Sequence, residues 1–426
     1  MKVFIMSHNP ITDYNSMGKT MLGLFSAFCE DELCQFYVYP TLPNIKVCKS
    51  YYRLTDKEAM RSILFRRNAG RQINDEDINS KNTLYENKSS AKMYRSKEKH
   101  KELKIFLRDF VWKLSSVKNQ SFKKWLEKEK PDVIFAAPGA SGFFYNLIQK
   151  VAKLLKIPIV TYVCDDFYFS SKEKGSFIGR IYARYIRKKI RKLVSNSKQV
   201  VAISNELARD YTKEFGCECT VISTGANLTV AEKPSCGDGK IVSYFGNLQL
   251  GRYISLSKVA RALDEYNEKF GKDTVLNIYT ADKSSEISLE FDGISCARFC
   301  GFIPAEEMYK EMKKASVLIH VESFDRENRE RVKYSVSTKI ADSLACGICL
   351  FAYGPSGIAS IEYLKSNDCA FTAQNEQELK EKITSCLSQP ELRTSKAQKA
   401  LLTASKNHDC KKQSELLKTT IFKVLA

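Results

Sequence analysis

The chain has 426 residues, with 68 Lys and Arg against 49 Asp and Glu and a formal net charge of +19. This length suits two or three domains of ordinary size, and the positive charge favours a partner that carries negative charge. Because no segment approaches the ~20 apolar residues of a membrane-spanning helix and the first residues lack the order of a signal peptide, we expect a cytoplasmic protein with reduced cysteines.

The first half of the chain alternates short apolar segments with helical patterns. Such an alternation predicts parallel β-α-β units and a doubly wound α/β sheet. We predict strands at 3–6, 36–39, 133–136, 159–163, 200–203 and 220–223. Between the second and third of these strands, residues 46–119 are polar and charged. They predict a basic insertion that is part helical and part mobile.

Residues 229–239 are rich in Pro, Ser, Gly and charge, a composition typical of a linker. The alternation then resumes, with strands predicted at 241–245, 275–279, 297–300, 317–320, 349–352 and 370–372, and helices at 255–270, 304–314, 337–346 and 357–365. We therefore predict two successive Rossmann-like domains, at 1–235 and 236–405. Residues 406–426 have a helical pattern, and we expect them to pack back on the first domain.

The loop after the first strand ends in Gly18-Lys19-Thr20, which raises the question of a nucleotide-binding P-loop. The full P-loop pattern requires a glycine five residues before Gly18, and Asp13 stands there. A P-loop NTPase is therefore disfavoured. A strand followed by a loop with one glycine and a helix start still predicts a phosphate contact at Gly18.

Basic residues concentrate at 81–130 and 180–192, and in the second segment they alternate with Ile and Tyr at helical spacing. A basic amphipathic helix is typical of an element that faces an anionic membrane surface or another polyanion. A solvated helix face over a packed apolar stripe would have the same pattern. We expect an anionic membrane surface as a partner. We expect no nucleic acid, because the chain has no recognised nucleic-acid-binding motif.

Two loops in the second half have the composition of a phosphate site. The first follows the predicted strand at 241–245. In it, Gly246 and Gly251 allow close backbone approach, and Arg252 presents a planar guanidinium suited to a pyrophosphate. Ordinary turn chemistry would also account for these glycines.

The second loop precedes a helix that we predict to begin near Ser337. Ser335, Ser337 and Thr338 are good N-cap residues, and the free N–H groups of a helix start favour an anion. Lys339 in the first turn opposes the helix dipole unless a phosphate offsets its charge. Asp342, three residues further on, could accept hydrogen bonds from ribose hydroxyls.

These residues resemble the glycosyltransferases of the GT-B fold that use a nucleotide-sugar donor, particularly those that build bacterial surface polysaccharides. The resemblance covers nearly the whole chain. It is strongest in the pattern Ser-Thr-Lys-Ile-x-acid-x-Leu-Ala-x-Gly at 337–347, followed by Tyr-Gly-Pro at 353–355. Ala-Ile-Ser at 202–204 and Thr-Gly-Ala-Asn at 224–227 support it. The resemblance implies two Rossmann-like domains that face each other across a cleft, with the donor mostly on the second.

The resemblance also implies roles for individual residues. Asp342 takes the place of the glutamate that holds the ribose hydroxyls. Arg252 stands where many relatives have a lysine on the diphosphate, and Asn247 stands where they have an arginine. Gly246 belongs to the same substrate-binding loop, and residues 335–339 would hold the diphosphate from its other side.

Retaining members of the family often carry two glutamates separated by seven residues, and here Tyr334 and Asp342 occupy those positions. We nevertheless expect a retaining hexosyltransferase. In its reaction an acceptor hydroxyl attacks the anomeric carbon while the nucleotide diphosphate departs. Arg252 and Lys339 would stabilise the departing charge without a required metal.

Acidic residues also offer candidates in the first domain. Asp165 and Asp166 follow the predicted strand at 159–163, and one of them could orient or deprotonate the acceptor, although a helix cap or a salt-bridged loop acid would look the same. His8 follows the first strand, where lone histidines are usually structural. Asp-Glu-Asp at 75–77 has the Asp-x-Asp form of a metal site but no preceding apolar strand, so we interpret it as surface charge.

The sequence thus predicts an enzyme that transfers a sugar from a UDP-, GDP- or other nucleotide-diphosphate donor to a glycan or lipid-linked acceptor. The products would belong to bacterial capsule, O-antigen or exopolysaccharide, made at the inner face of the plasma membrane. No metal or other cofactor is expected. The alternative is a catalytically inactive GT-B-like protein that binds a polyanion or a nucleotide.

Overall fold

The structure, a computed structural model, describes residues 1–13, 15–65, 69–79, 101–115, 120–170, 177–235 and 237–426. Its internal contacts divide the chain into two units, one formed by residues 1–223 with 411–426 and the other by residues 224–410. Each unit contains one mainly parallel sheet, which confirms the predicted α/β class. Within these described ranges no helix is both long enough and apolar enough to cross a membrane.

The first unit is built on an eight-stranded sheet. Its strands are β1 (Val3–Ser7), β2 (Leu33–Tyr37), β3 (Ser50–Arg53), β4 (Arg71–Ile73), β5 (Val133–Ala137), β6 (Ile159–Val163), β7 (Gln199–Ala202) and β8 (Cys219–Val221). They lie in the order β4-β3-β2-β1-β5-β6-β7-β8, and every neighbouring pair is parallel except β3 with β4. The helices of its N-terminal segment are α1 (Ser16–Leu24), α2 (Asp56–Phe65), α3 (Asp75–Asn79), α4 (Lys101–Ser115), α5 (Gln120–Glu129), α6 (Gly142–Leu155), α7 (Phe177–Asn196) and α8 (Asn205–Phe215).

Residues 46–119, predicted as an insertion, extend this sheet at one edge. β3 is fully buried and pairs in parallel with β2, and the Trp125 indole N–H donates to the Ser50 hydroxyl at 2.6 Å. β3 and β4, the two strands of this segment, are short and lie among charged residues. The apolar pattern of the sequence alone therefore does not predict them. Residues 66–68, 80–100 and 116–119 of this segment lie outside the described residues, and the expectation of mobility falls partly on them.

The second unit is built on a six-stranded sheet in which all strands are parallel. Its strands are β9 (Ile241–Phe245), β10 (Val275–Tyr279), β11 (Ala297–Gly301), β12 (Val317–Val321), β13 (Cys349–Tyr353) and β14 (Phe371–Ala373). They lie in the order β11-β10-β9-β12-β13-β14. Its helices are α9 (Arg252–Phe270), α10 (Ser285–Glu290), α11 (Ala305–Met312), α12 (Arg326–Val332), α13 (Thr338–Ala345), α14 (Ala359–Ser366), α15 (Glu376–Ser388) and α16 (Pro390–Asn407).

The last helix, α17 (Cys410–Leu425), carries residues 411–426 of the first unit. Its Leu417 and Ile421 are fully buried in the core around β1 and β5, and the Ser414 hydroxyl donates to the Leu24 carbonyl at 2.7 Å. The chain enters the second unit after residue 223, earlier than the predicted boundary at 235. The polar segment before β9 belongs to the second unit because the Ser235 N–H donates to the Gly347 carbonyl at 2.8 Å.

Both sheets contain a point at which the strand order reverses. In the first unit it lies between β1 and β5, and in the second between β9 and β12. Connections leave such a point in opposite directions, so a crevice opens beside the carboxyl ends of the two strands, and ligands of doubly wound sheets collect there. Ligand sites are therefore expected at these two positions.

Candidate functional site

In the second unit the loop at 246–251, after β9, is held close to the loop after β12. Leu250 and Gly251 both have left-handed backbone conformations, with φ of 57° and 71°. A Cβ on Gly251 would lie 2.6 Å from the Ser323 hydroxyl oxygen, so the approach of the two loops requires glycine. α9 begins directly after this glycine, and Arg252 is its first residue.

Arg252 is fixed by an acid and an amide from these two loops. Its Nε lies 3.1 Å and its Nη2 3.0 Å from Glu322 Oε2, and Nη1 donates to Asn247 Oδ1 at 3.1 Å. The Glu322 side chain is 3% exposed and that of Arg252 is 17% exposed. The pair is therefore largely desolvated, while the guanidinium keeps an accessible edge. Asn247, predicted as a substrate contact, orients Arg252 through its amide oxygen.

Glu322 is the acid that balances this site. Burial alone would raise the pKa of Glu322, but His320 and Arg252 outweigh burial and lower the pKa below its usual value. The His320 Nε2 lies 3.4 Å from Glu322 Oε1. Glu322 is therefore ionised at neutral pH, and its charge compensates that of Arg252.

The Lys339 ammonium lies beside Gly246 and within the field of Arg252. A Cβ on Gly246 would lie 2.7 Å from Nζ, so glycine leaves room for the ammonium in this position. Burial, and then the Arg252 charge, lower the pKa of Lys339 to about 8, although Asp282 and Asp342 oppose the shift. Within the part of the chain that the structure describes, Lys339 forms no ion pair. Arg252 and Lys339, both predicted as phosphate contacts, are thus brought together.

Ser335, Ser337 and Thr338 lie at the start of α13, where the helix was predicted to begin. Ser337 is the N-cap, and its hydroxyl oxygen accepts from the Lys339 N–H at 3.4 Å. The Ser335 N–H donates to the Val332 carbonyl at 2.9 Å. All three serine and threonine residues are half-buried. Their contact with a phosphate stays a prediction.

Asp342 is buried and already has a partner. Its Oδ1 accepts from the Asn227 backbone N–H at 2.7 Å and its Oδ2 from the Asn227 side-chain amide at 3.1 Å. The carboxylate therefore anchors the segment at 224–227. The contact with a ribose stays a prediction.

The first unit has a cavity of about 340 Å³ at its own strand-order reversal. The cavity is lined by residues that follow β1, β5 and β6, among them Asn9, Gly139 and Asp165. A concave pocket with a few polar groups at this position is the usual site for a small ligand or a sugar.

Asp165 and Asp166, which the sequence could not distinguish, have different environments. Asp166 Oδ1 accepts from the Tyr168 and Phe169 N–H groups at 2.9 and 2.8 Å, and its Oδ2 accepts from the Ser170 N–H at 2.7 Å. Asp166 therefore shapes the turn. Asp165 is exposed at the wall of the cavity, where partial desolvation by the surrounding protein and then the Asp166 charge raise its pKa. Asp165 is thus the acid available to a ligand.

His8 and Arg108 line the same cavity. Burial and the Arg108 charge lower the pKa of His8 to about 4, so its imidazole is neutral at pH 7. Its Nε2 is buried and has no hydrogen-bond partner among the described residues. Arg108 donates from Nε to Asp56 at 2.8 Å and from Nη1 to the Ser141 hydroxyl at 2.9 Å. The cavity thus combines a carboxylate, a neutral imidazole and a guanidinium, a set that suits a hydroxylated ligand.

Gly18 lies in the first turn of α1. Its N–H donates to the Asn15 side-chain oxygen at 2.7 Å, which caps the helix. A Cβ at Gly18 would lie 2.3 Å from the Thr12 hydroxyl oxygen. Packing of the helix against its own loop therefore accounts for this glycine in the structure, and a phosphate contact there stays a prediction.

The Asp-x-Asp sequence at 75–77 lies on α3, and its acids form ion pairs. Asp75 pairs with Lys46 at 2.8 Å, and Asp77 pairs with Arg71 at 2.8 Å. Across the ranges that the structure describes, no group of three or more His, Cys, Asp or Glu side chains is arranged to hold a metal ion.

Sequence reasoning missed Glu322, Asp282 and Arg108. Glu322 acts on a residue 70 positions away, and Asp282 accepts from the Leu248 N–H at 2.6 Å, which ties the loop after β10 to that after β9. Both acids closely follow a predicted strand, at the carboxyl edge of the sheet. Their position at this edge was the sequence signal by which both acids could have been predicted as site residues. Arg108 has no comparable signal, because it lies on a helix within the predicted insertion.

Two protein-family models match separate parts of the chain. The model described as Glycosyltransferase Family 4 matches residues 90–230, and the model described as glycosyl transferase-like matches residues 270–419. No curated protein is significantly similar to the chain in sequence.

Solved structures are similar to the chain over almost its whole length. HepE from Anabaena in complex with UDP is 12% identical, with a TM-score of 0.63 over 99% of this chain and 100% of HepE. A variant of S. aureus TarM in complex with fondaparinux, α-GlcNAc-glycerol and UDP is 11% identical, with a TM-score of 0.59 over 100% of both chains. WaaG, a glycosyltransferase involved in lipopolysaccharide biosynthesis, is 11% identical, with a TM-score of 0.57 over 97% of this chain and 99% of WaaG. Together, the two family models and this likeness in fold identify the chain as a glycosyltransferase of the GT-B fold.

Proposed function

We propose that the enzyme transfers a hexose from a nucleotide-diphosphate sugar to a hydroxyl group of a glycan acceptor. One observation carries this proposal: the Arg252 and Lys339 cations interact at the strand-order reversal of the second unit, and among the described residues Arg252 has an ion-pair partner whereas Lys339 has none. A half-buried cation without an ion-pair partner is costly. A bound diphosphate would supply the missing negative charge.

This arrangement suits a diphosphate leaving group. When the bond between the anomeric carbon and the diphosphate oxygen breaks, the electron pair moves onto that oxygen. Arg252 and Lys339 would stabilise the resulting charge, and the positive end of the α9 dipole adds to the positive potential. Because these groups supply the charge that a metal would otherwise provide, we propose that transfer needs no metal ion.

The acceptor would bind in the cavity of the first unit. There Asp165 would orient the attacking hydroxyl by accepting a hydrogen bond from it. In a retaining reaction the hydroxyl attacks from the face that the diphosphate leaves, so its proton passes to the departing diphosphate oxygen as the bond to the anomeric carbon forms. The raised pKa of Asp165 suits the orienting role, because a more basic carboxylate accepts a stronger hydrogen bond. Arg108 and His8 would bind neighbouring hydroxyl groups of the acceptor. A retaining outcome is part of the proposal and is supported by the match to the Glycosyltransferase Family 4 model.

The structural neighbours support a proposal for the substrate class. HepE has been solved with UDP-glucose, and WaaG is involved in lipopolysaccharide biosynthesis. We therefore propose a UDP-sugar as the first donor to examine and a bacterial surface glycan as the acceptor. The identity of the sugar depends on a few hydrogen bonds to its hydroxyl groups.

Nucleotide release from a panel of UDP- and GDP-sugars, with and without acceptor glycans, tests the proposal. We expect release with one donor and a faster rate with acceptor. Arg252→Ala and Lys339→Ala should each lower kcat/KM by about a hundredfold, the usual cost of removing a group that stabilises developing charge. Lys258→Ala is a matched control, because Lys258 lies on the exposed face of α9 and pairs with Glu376.

Two results would overturn the proposal. Full transfer activity in both Arg252→Ala and Lys339→Ala would show that the diphosphate binds elsewhere. Calorimetric binding of nucleotide sugars without nucleotide release, with any acceptor, would favour the alternative of an inactive nucleotide-binding protein.

A further inference from the structure

Three helices of the first unit, α4, α6 and α7, enclose a groove of about 550 Å³ that the proposed reaction does not use. Trp112 and Phe143 form part of its lining, with their rings stacked at a centroid distance of 4.4 Å. Five lysines surround it, and the groove is named the lysine groove after them: Lys113 from α4, Lys150 and Lys153 from α6, and Lys189 and Lys192 from α7.

Among the described residues that line the lysine groove, one acid, Asp109, stands against the five lysines. Among the described residues none of the five lysines forms an ion pair, and Asp109, which also lines the groove, is itself buried. Burial and the charges of Lys192, Lys188 and Lys113 lower the pKa of Lys189, although Asp109 opposes the shift. The groove therefore concentrates positive charge that favours an anion.

Exposed apolar side chains extend from the groove on the same three helices. On α7, Ile178 and Ile181 are 44% and 43% exposed, and they precede Tyr185 and Lys189 at the spacing of one helix face. Further exposed apolar residues of these helices include Leu107, Phe110 and Leu114 on α4 and Leu154 on α6. These six residues are the apolar rim. Clustered exposed apolar groups beside lysines are typical of a surface that binds a partner.

We propose that the lysine groove and the apolar rim dock the enzyme on a lipid bilayer that contains anionic lipids. The lysines would bind lipid phosphate groups, and the rim side chains would enter the layer of headgroups. Charge complementarity selects an anionic partner, and the rim selects a bilayer, since attraction to anionic lipid and burial of apolar area act together at such a surface. This inference does not depend on the proposed reaction.

The same observations argue against other anions. A soluble phosphate compound would leave the apolar rim without a function. A single-stranded nucleic acid is usually held by bases that stack on accessible aromatic rings. In the lysine groove, Trp112 and Phe143 are only 1% and 4% exposed, so neither ring presents a face for stacking.

The lysine groove also refines the prediction of a basic helix at 180–192. In α7, the Arg187 and Arg191 guanidinium groups lie over the Tyr168 ring, 4.7 and 5.7 Å from its centroid, and so pack within the first unit. Lys189 and Lys192 line the groove instead. The face of α7 that carries Lys189 and Lys192 therefore contributes charge to the lysine groove together with α4 and α6.

Co-sedimentation of the full chain with vesicles tests this inference. We expect binding to vesicles of phosphatidylcholine mixed with phosphatidylglycerol, weaker binding at high salt, and little binding to phosphatidylcholine alone. Each lysine near an anionic surface contributes about a factor of five to partitioning, so Lys113→Glu/Lys153→Glu/Lys192→Glu should lose at least about a hundredfold. Ile178→Ser/Ile181→Ser tests the apolar rim and should also bind more weakly.

The control is Lys240→Glu/Lys272→Glu/Lys283→Glu, which changes the net charge by the same amount as the groove variant. These three exposed lysines belong to the second unit and therefore lie outside the lysine groove. The control should bind anionic vesicles more tightly than the groove variant by about the same factor of a hundred. The circular dichroism spectrum and melting temperature of the groove variant should match those of wild type, which would show that it is folded.

Several results would overturn the inference. They are equal wild-type binding to neutral and anionic vesicles, unchanged binding by the groove variant, and an equal loss in the control. Groove-dependent binding of inorganic pyrophosphate or of an oligonucleotide, without binding to vesicles, would assign the lysine groove to a soluble anion or to nucleic acid.

Discussion

Lys339 should make donor binding depend on pH. Its pKa is about 8 in the free protein, and a diphosphate beside it would raise that pKa. Only the protonated ammonium attracts the donor, and with this pKa its fraction falls from about nine-tenths at pH 7 to about one-tenth at pH 9. The dissociation constant of the nucleotide sugar should therefore rise about tenfold over this range, which corresponds to about 1.4 kcal/mol.

Isothermal titration calorimetry in two buffers of different ionisation enthalpy measures both the affinity and the uptake of protons. Uptake should be small at pH 7 and approach one proton per donor at pH 9. A nucleotide sugar is the ligand to use, because its doubly esterified diphosphate does not titrate in this range. Lys339→Arg should bind the donor with a flat pH profile, because a guanidinium stays protonated. The reasoning is refuted if the tenfold change persists in Lys339→Arg, or if wild-type affinity does not change between pH 7 and pH 9.

The same lowered pKa predicts that the Lys339 charge destabilises the empty protein. An unfolded lysine titrates near about 10.4. Between pH 8 and that value the unfolded chain therefore binds more protons, and the free energy of unfolding rises with pH. Lys339→Met should raise the free energy of unfolding at pH 7 by at most about 3 kcal/mol. The gain should be smaller than this limit, because solvent screens the charge at this half-buried position. Urea denaturation of the two proteins at pH 7 measures the difference, and a less stable Lys339→Met would contradict the argument.

Substitutions of Gly246, Glu322 and His8 test three further contacts. Gly246→Ala would put a Cβ 2.7 Å from the present position of the Lys339 ammonium and displace it. Steady-state kinetics should show a donor KM raised about tenfold, with a melting temperature close to wild type. Glu322→Ala should lower the free energy of unfolding by about 3 kcal/mol in urea denaturation, because it leaves a largely buried guanidinium without its acid. The pKa of His8, about 4 when folded, lies below its unfolded value of about 6.5, so the unfolded chain binds the proton first. Wild type should lose up to about 3 kcal/mol relative to His8→Gln as the pH falls from 6.5 to 4, and parallel urea-denaturation profiles for the two proteins would contradict this.

Much of the fold could be predicted because its strands are local signals. The strands at 159–163, 241–245 and 275–279 are apolar runs bounded by polar or turn-forming residues, and the structure has them with those bounds. β3 and β4 could not be predicted in this way. They are four and three residues long, and their place in the sheet depends on pairing with β2 and with each other. Such pairing is a long-range property that composition does not encode.

The candidate site shows the same difference between local features, which could be predicted, and long-range contacts, which could not. Glycine-containing loops and helix starts are local features, so the sequence was sufficient to select Arg252 and Lys339 as cations for a diphosphate, and it treated them as equivalent. The ion pair between Arg252 and Glu322 joins two distant loops, and it makes the two cations different. Arg252 is held in place by its acid before any donor arrives. Lys339 has a pKa close to physiological pH and no ion pair among the described residues, so its charge depends on what binds beside it. It follows that the Arg252 guanidinium has a fixed position for the donor, whereas the protonation state of Lys339 responds to the negative charge of the donor.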